Sequence, residues 1–205
     1  SSATSISYDT LVPTVSLARS GSGTLKSGQT DTITFTLSEA ATDFVVGDIT
    51  VSGGTLSSFT ATSSTVYTVI FTPTADTQSG SGSISVAGAT FTDAAGNSNT
   101  ASSATTISYD TLVPTVSLAR TGSGTLRSGQ TDTFTFTLSE AATDFAVGDI
   151  TVSGGTIGAL TTTSSTVYSV VFTPTANTNS GTGTISVAGA TFTDAAGNSN
   201  TASSA

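Results

Sequence analysis

Hydrophobic residues alternate with Thr and Ser at a period of two through most of the chain. Ile33, Phe35 and Leu37 fall on one side of an extended run, and Thr32, Thr34 and Thr36 on the other. That is the pattern of a half-buried strand. The same reading places a first strand at Val15 and Leu17, after Val12-Pro13, and a third at Ile49 and Val51. Leu56 with Phe59 marks a fourth, Tyr67, Val69 and Phe71 a fifth, Ile84 and Val86 a sixth, and residues 100–109 a seventh. Gly-rich turns separate them, at residues 21–23, 53–54 and 80–82, together with the segment Asp93-Ala94-Ala95-Gly96-Asn97. No stretch has useful helical periodicity. About seven short strands in roughly 100 residues predict an all-β, immunoglobulin-like β-sandwich.

The pattern then repeats. Asp9 recurs as Asp110, Pro13 as Pro114, Glu39 as Glu140 and Asp93 as Asp194, always 101 residues on and with no insertion. A period of that length suits a whole domain, not a solenoid coil. Substitutions between copies conserve apolar character, as in Ile33/Phe134, Leu56/Ile157, Phe59/Leu160 and Ile70/Val171, which a shared core tolerates. We expect two tandem sandwiches of about seven strands each, stacked head to tail, over residues 9–109 and 110–205. Residues 1–8 match 102–109 and read as the end of a preceding repeat or a linker. The second copy reaches Ala205 without the matching Ile-Ser-Tyr. Its last strand is therefore expected to fray, or to pair with residues 1–8 of a neighbouring molecule. The junction from Ser108 to Pro114 holds no Gly and closes on Pro, which limits bending, and Tyr109 and Leu112 are expected to pack between modules.

Composition removes several functions. The chain has no Cys, Met, Trp or His, so disulfides, thiolate or imidazole metal sites and His acid–base chemistry are excluded. Four Lys and Arg stand against thirteen Asp and Glu, for a net charge of −9. Such a surface repels phosphate backbones and anionic lipid, which argues against nucleic acid and direct membrane insertion, and it attracts cations. A Cys-free chain rich in Thr, Ser and Gly fits a bacterial secreted repeat protein. No catalytic activity is expected: Ser is abundant but has no His to activate it.

The run Phe35-Thr-Leu-Ser-Glu39, then Asp43-Phe44, Asp48-Ile-Thr-Val-Ser-Gly53-Gly54-Thr55, Tyr67, Phe71-Thr-Pro73 and Phe91-Thr-Asp93-Ala-Ala-Gly96-Asn97 resembles the bacterial Ig-like domain repeats of giant adhesins of the RTX and biofilm-associated type. The resemblance covers the whole chain, twice. It implies an extracellular, cell-surface location and a rod of stacked sandwiches that projects an adhesive tip, often stiffened by calcium between modules. Its partners would be neighbouring repeats of the same chain, with any surface or host target reached through other domains.

The acids support a cation. If strands run antiparallel, the turn after strand two carries Glu39 and Asp43, and Asp48 enters strand three. The turn after strand six carries Asp93 and Asn97, and the entry to strand one carries Asp9. All collect at one pole of the sandwich. Their counterparts are Asp110, Glu140, Asp144, Asp149 and Asp194. Clustered carboxylates repel unless neutralised, and calcium accepts six to eight hard oxygen ligands in flexible geometry, whereas magnesium demands a tight octahedron. The candidate metal ligands are thus Asp9, Glu39, Asp43, Asp48, Asp93, Asp110, Glu140, Asp144, Asp149 and Asp194, with Ca2+ as the ion. Asp31 and Asp76 lie at the far pole and are expected to be solvated. The alternatives are a binding module for a glycan, ice or a host protein, the Thr32-Thr34-Thr36 row being one such surface, and an accessory domain of a secreted enzyme.

Overall fold

A computed structural model describes residues 2–203 and divides the chain into two compact units, Ser1–Thr111 and Leu112–Ala205. Seven strands build the first unit: β1 Val15–Arg19, β2 Asp31–Leu37, β3 Ile49–Ser52, β4 Gly54–Ala61, β5 Val66–Pro73, β6 Gly80–Val86 and β7 Thr105–Tyr109. They form two antiparallel sheets, β1-β2-β5-β4 and β3-β6-β7. A single 3-10 turn, Val46–Asp48, precedes β3. The second unit repeats the plan with β8 Val116–Arg120, β9 Asp132–Leu138, β10 Ile150–Ser153, β11 Gly155–Ile157, β12 Thr161–Thr162, β13 Val167–Pro174 and β14 Thr184–Val187. Here β11-β13-β9-β8 form one sheet, with β12 paired to β13, and β10-β14 form the other.

The alternation read from the sequence is the alternation of burial. Ile33, Phe35, Val69 and Phe71 from one sheet, and Ile84, Val86 and Ile107 from the other, are almost completely buried between the layers. Two loop aromatics complete the core: Phe44 lies edge-on to Tyr67 and Phe91, each at 5.0 Å between ring centroids. Full burial of each such side chain stabilises the fold by about 1.5–3 kcal/mol. Gly53 links β3 to β4 across the layers at φ +71°, where a Cβ would lie 2.4 Å from the Ser81 carbonyl oxygen. Only glycine fits there.

Three expectations are corrected. The seventh strand begins at Thr105, not at residue 100. Upstream, Ser102 already mimics a ladder residue, because its amide donates to Val86 O and its hydroxyl accepts from Val86 N. Tyr109, expected at the junction, is buried in the core of its own unit, where its ring covers Gly80. Asp31 is not solvated. It is 3 % exposed and lies in the inward register of β2, with Ile33 and Phe35.

Arg19, at the end of β1, donates through Nε to Asp31 Oδ2 at 2.7 Å, while the Ser20 hydroxyl and Gly21 amide donate to Oδ1. Burial pushes the Asp31 carboxyl up, but these hydrogen bonds and the Arg19 charge outweigh it and hold the group below its ordinary range. Asp132 repeats the arrangement with Arg120 and Gly122. Asp76 is an exposed turn residue with φ +52°, and Asn177 takes its place one period on at φ +57°. Asp and Asn are the non-glycine residues that best tolerate that conformation, so the exchange is conformational and not electrostatic.

Candidate metal centre

Asp93 sits in a tight turn that its own side chain organises. Its Oδ1 accepts from the amides of Ala95 and Asn97, both at 2.8 Å, and its Oδ2 accepts from Asn97 Nδ2 at 2.8 Å. Gly96 supplies the positive φ, at +90°. The Asn97 side-chain hydrogen bond is the chief cause that lowers the Asp93 carboxyl, with the turn amides assisting against burial. Asp93 therefore stays ionised. Asn97 Nδ2 also reaches the Asp9 carbonyl at 3.3 Å, which ties the entry segment of the repeat to the turn.

Glu39 leaves the end of β2 and points at the same place. The atoms of Asp9, Glu39 and Asp93 that face one another all lie within 4.8 Å. One Glu39 oxygen, Oε1, is buried with no hydrogen-bond partner. Burial first, and then the charges of Asp93 and Asp9, push the Glu39 carboxyl above its ordinary range. One period on, Asp110, Glu140 and Asp194 are grouped in the same way. The donor set is all oxygen and anionic, and it contains a buried oxygen that no protein donor satisfies. These are features that a hard divalent cation matches.

Asp43 and Asp48 lie outside these groups, and so do Asp144 and Asp149. Their carboxylates are engaged elsewhere. Asp43 Oδ1 accepts from the Thr92 amide at 2.7 Å and so latches the loop after β2 to the segment that leads into Asp93. Asp48 Oδ2 accepts from the Val45 amide at 2.8 Å and closes the 3-10 turn. Asp144 and Asp149 repeat both bonds, with Thr193 and Ala146. The geometry thus narrows the ligand candidates to Asp9, Glu39 and Asp93, with Asp110, Glu140 and Asp194 as counterparts.

Asn99 escaped the sequence reading. It is buried, its Oδ1 accepts from the Thr90 and Phe91 amides, and its Nδ2 donates to the Ala87 and Thr100 carbonyls. A fully satisfied buried amide of this kind fixes the path of the chain into and out of the Asp93 turn. Its signal in the sequence was the second Asn of the run Gly96-Asn97-Ser98-Asn99, repeated at Asn200.

Comparisons with known proteins bear on the whole chain. A search of curated proteins returns no match. Among solved structures, the adhesin InvE of Yersinia pseudotuberculosis is similar at 16 % identity over 92 % of this chain, with a TM-score of 0.35; the match spans 58 % of that protein's chain. A chimeric titin Z1Z2 carrying an exogenous peptide from decorin is similar at 12 % identity over 91 % of this chain and 94 % of its own, with a TM-score of 0.21. Among the described residues no helix is long and apolar enough to cross a membrane. The family model described as bacterial Ig-like domain matches residues 9–109 and again 110–205, so the chain belongs to the bacterial Ig-like domain family and carries two tandem copies of it.

Proposed function

We propose that these repeats are non-catalytic structural modules of a secreted bacterial surface adhesin. Each binds one calcium ion through its acidic group, and the ion stiffens the junction at which the repeat begins. The observation that carries the reading is the group of Asp9, Glu39 and Asp93, with its buried, unsatisfied Glu39 oxygen. The group recurs with Asp110, a residue of the Gly-free segment that joins the two copies. Binding an ion there neutralises like charges that otherwise repel, and it ties chain entering the repeat to two of the repeat's loops. Neighbouring repeats are the partners, and any host or surface target belongs to other domains of the protein.

A calorimetric melt with calcium and with chelator tests the proposal. At a calcium concentration 100 times Kd the folded state gains about 2.7 kcal/mol, which raises Tm by about 10 °C for a domain of this size. Small-angle scattering on the same samples should show a longer, stiffer particle with calcium. Identical melts and identical dimensions would remove the ion from the account.

A further inference from the structure

Tension in a polypeptide passes along its backbone, so a pull from the second repeat reaches the first unit through Thr111, the last residue of that unit. The chain is gripped there from two sides. On one side is Leu25, in the connection between β1 and β2. Its amide donates to Ser108 O at 3.0 Å and its carbonyl accepts from Asp110 N at 2.8 Å, which makes a parallel bridge between Leu25 and Tyr109. On the other side is the turn after β5. The Thr111 amide donates to Thr77 O at 2.8 Å. The Thr111 hydroxyl donates to Thr74 O at 2.7 Å and accepts from the Thr77 amide at 3.1 Å. Between the two grips the Tyr109 ring packs on Gly80, where a Cβ would lie 2.1 Å from it. Leu25, Tyr109 and Thr111 are all buried.

The direction of pull follows from register. β1 begins with Val15 opposite Leu37, and the chain entering it is tied there by two bonds between Thr14 and Ser38, beside Glu39. β7 ends with Tyr109 opposite Gly80 and beside Leu25, at the pole of the β1–β2 connection. Entry and exit of the first unit therefore lie at opposite poles, with the strands running between them. Pulled from both, β7 is drawn lengthwise along β6, and the ladder from Thr105–Ile84 to Tyr109–Gly80 resists as a whole. A strand end without support frays instead, and its ladder then parts one bond at a time. Residues 108–111 cannot begin to fray while both grips hold.

We infer that Leu25 and the Thr74–Thr77 turn form a mechanical clasp on residues 108–111, and that this clasp sets the force at which the first repeat opens. It keeps the end of β7 from peeling, so that the ladder must give way at once. The two grips differ in kind. Leu25 holds through its main chain, with its side chain buried in the core. Thr111 holds through its amide and through a hydroxyl that donates and accepts at the same time, a double capacity that among short side chains belongs to Thr and Ser. The clasp consists of bonds inside the first unit, so it holds whether or not the acidic group binds calcium. It adds a second task to the proposed spacer, that of carrying tension from one repeat to the next.

Constant-force extension of the 205-residue protein tests this. The chain has no Cys, so handles on thiols introduced as Thr10→Cys and Val113→Cys pull on the first repeat alone. Chelator is present throughout, which keeps the acidic group out of the comparison. Thr111→Val keeps the shape and removes the hydroxyl. At a fixed force it should open the repeat about tenfold faster, the effect of losing two hydrogen bonds. Thr111→Ser restores the hydroxyl and should open at the parental rate. Leu25→Ala thins the packing behind the opposite grip and should also speed opening; it answers the question by itself if Thr111→Val does not fold. Val51→Ala is the comparison, since Val51 is half-buried on the edge strand β3, off the path between entry and exit. It should lower the thermal midpoint and leave the opening rate under force unchanged. A parental rate in either clasp variant, or an equal acceleration by Thr111→Ser or Val51→Ala, would overturn the inference, because opening would then follow something other than the clasp.

Discussion

Each module buries acid at both of its poles, and the two poles treat it in opposite ways. At one, Asp31 is met by the Arg19 guanidinium, the Ser20 hydroxyl and the Gly21 amide, so every demand of the carboxylate is answered from within the fold. At the other, Glu39 faces Asp9 and Asp93, two further acids, and one of its oxygens is buried with no partner. The direction of the carboxyl shifts follows: Asp31 is held low and Glu39 is pushed high. An acid that the chain satisfies itself is a structural element. An acid that the chain surrounds with like charge is one whose repulsion a bound cation would relieve.

Breaking the satisfied pole should have the largest effect. Arg19→Leu leaves the Asp31 carboxylate buried without its cation, and removing one member of a buried pair costs about 3–5 kcal/mol. A urea melt of this variant should show a midpoint well below that of the parent, with or without calcium. The same pair gives the stability a pH dependence. Because the Asp31 carboxyl is held below its ordinary value in the folded state, its contribution is complete above the unfolded carboxylate range, and it is lost as pH falls through the depressed folded value. Thermal melts taken from pH 5 downward in chelator should decline on this account, and Arg19→Leu should flatten the decline.

At the unsatisfied pole the sign reverses. Glu39→Gln removes one of three mutually repelling carboxylates while keeping its shape. It should raise Tm slightly in chelator, by about 2 °C, and lower the gain that calcium brings. A variant that loses stability in both conditions would show Glu39 to be an ordinary structural acid. The smallest effect belongs to Asp76, where Asp76→Asn copies the second repeat and should be silent within about 0.5 kcal/mol. Asp76→Ala should cost about 1 kcal/mol for its positive φ. Paired denaturant melts resolve the two.

How far the fold could be read in advance depended on the register of each residue. Ile33, Phe35 and Leu37 announced a strand, and the structure buries all three. The same alternation, carried two residues back, puts Asp31 on the inward face, and Val15, Leu17 and Arg19 share a register on β1. The signal for the buried pair lies in that register, against the general tendency of an acid beside a turn to be exposed. Tyr109 is in phase with Ile107 in the same way, and is buried in the core of its own unit. The convergence of Asp9, Glu39 and Asp93 followed from strand order alone. What strand order does not specify is which carboxylates turn back onto backbone amides. Asp43 and Asp48 bond to Thr92 and Val45, an outcome of local loop conformation that no periodicity reports.

The central claim is that the Asp9–Glu39–Asp93 group and its counterpart are cation sites. Isothermal titration of calcium into the 205-residue protein tests it most directly, beside the Glu39→Gln, Glu140→Gln double variant. The account predicts saturable binding of two ions per chain, absent or at least about tenfold weaker in the double variant. No binding heat in the parent, or equal isotherms for the two proteins, would contradict it.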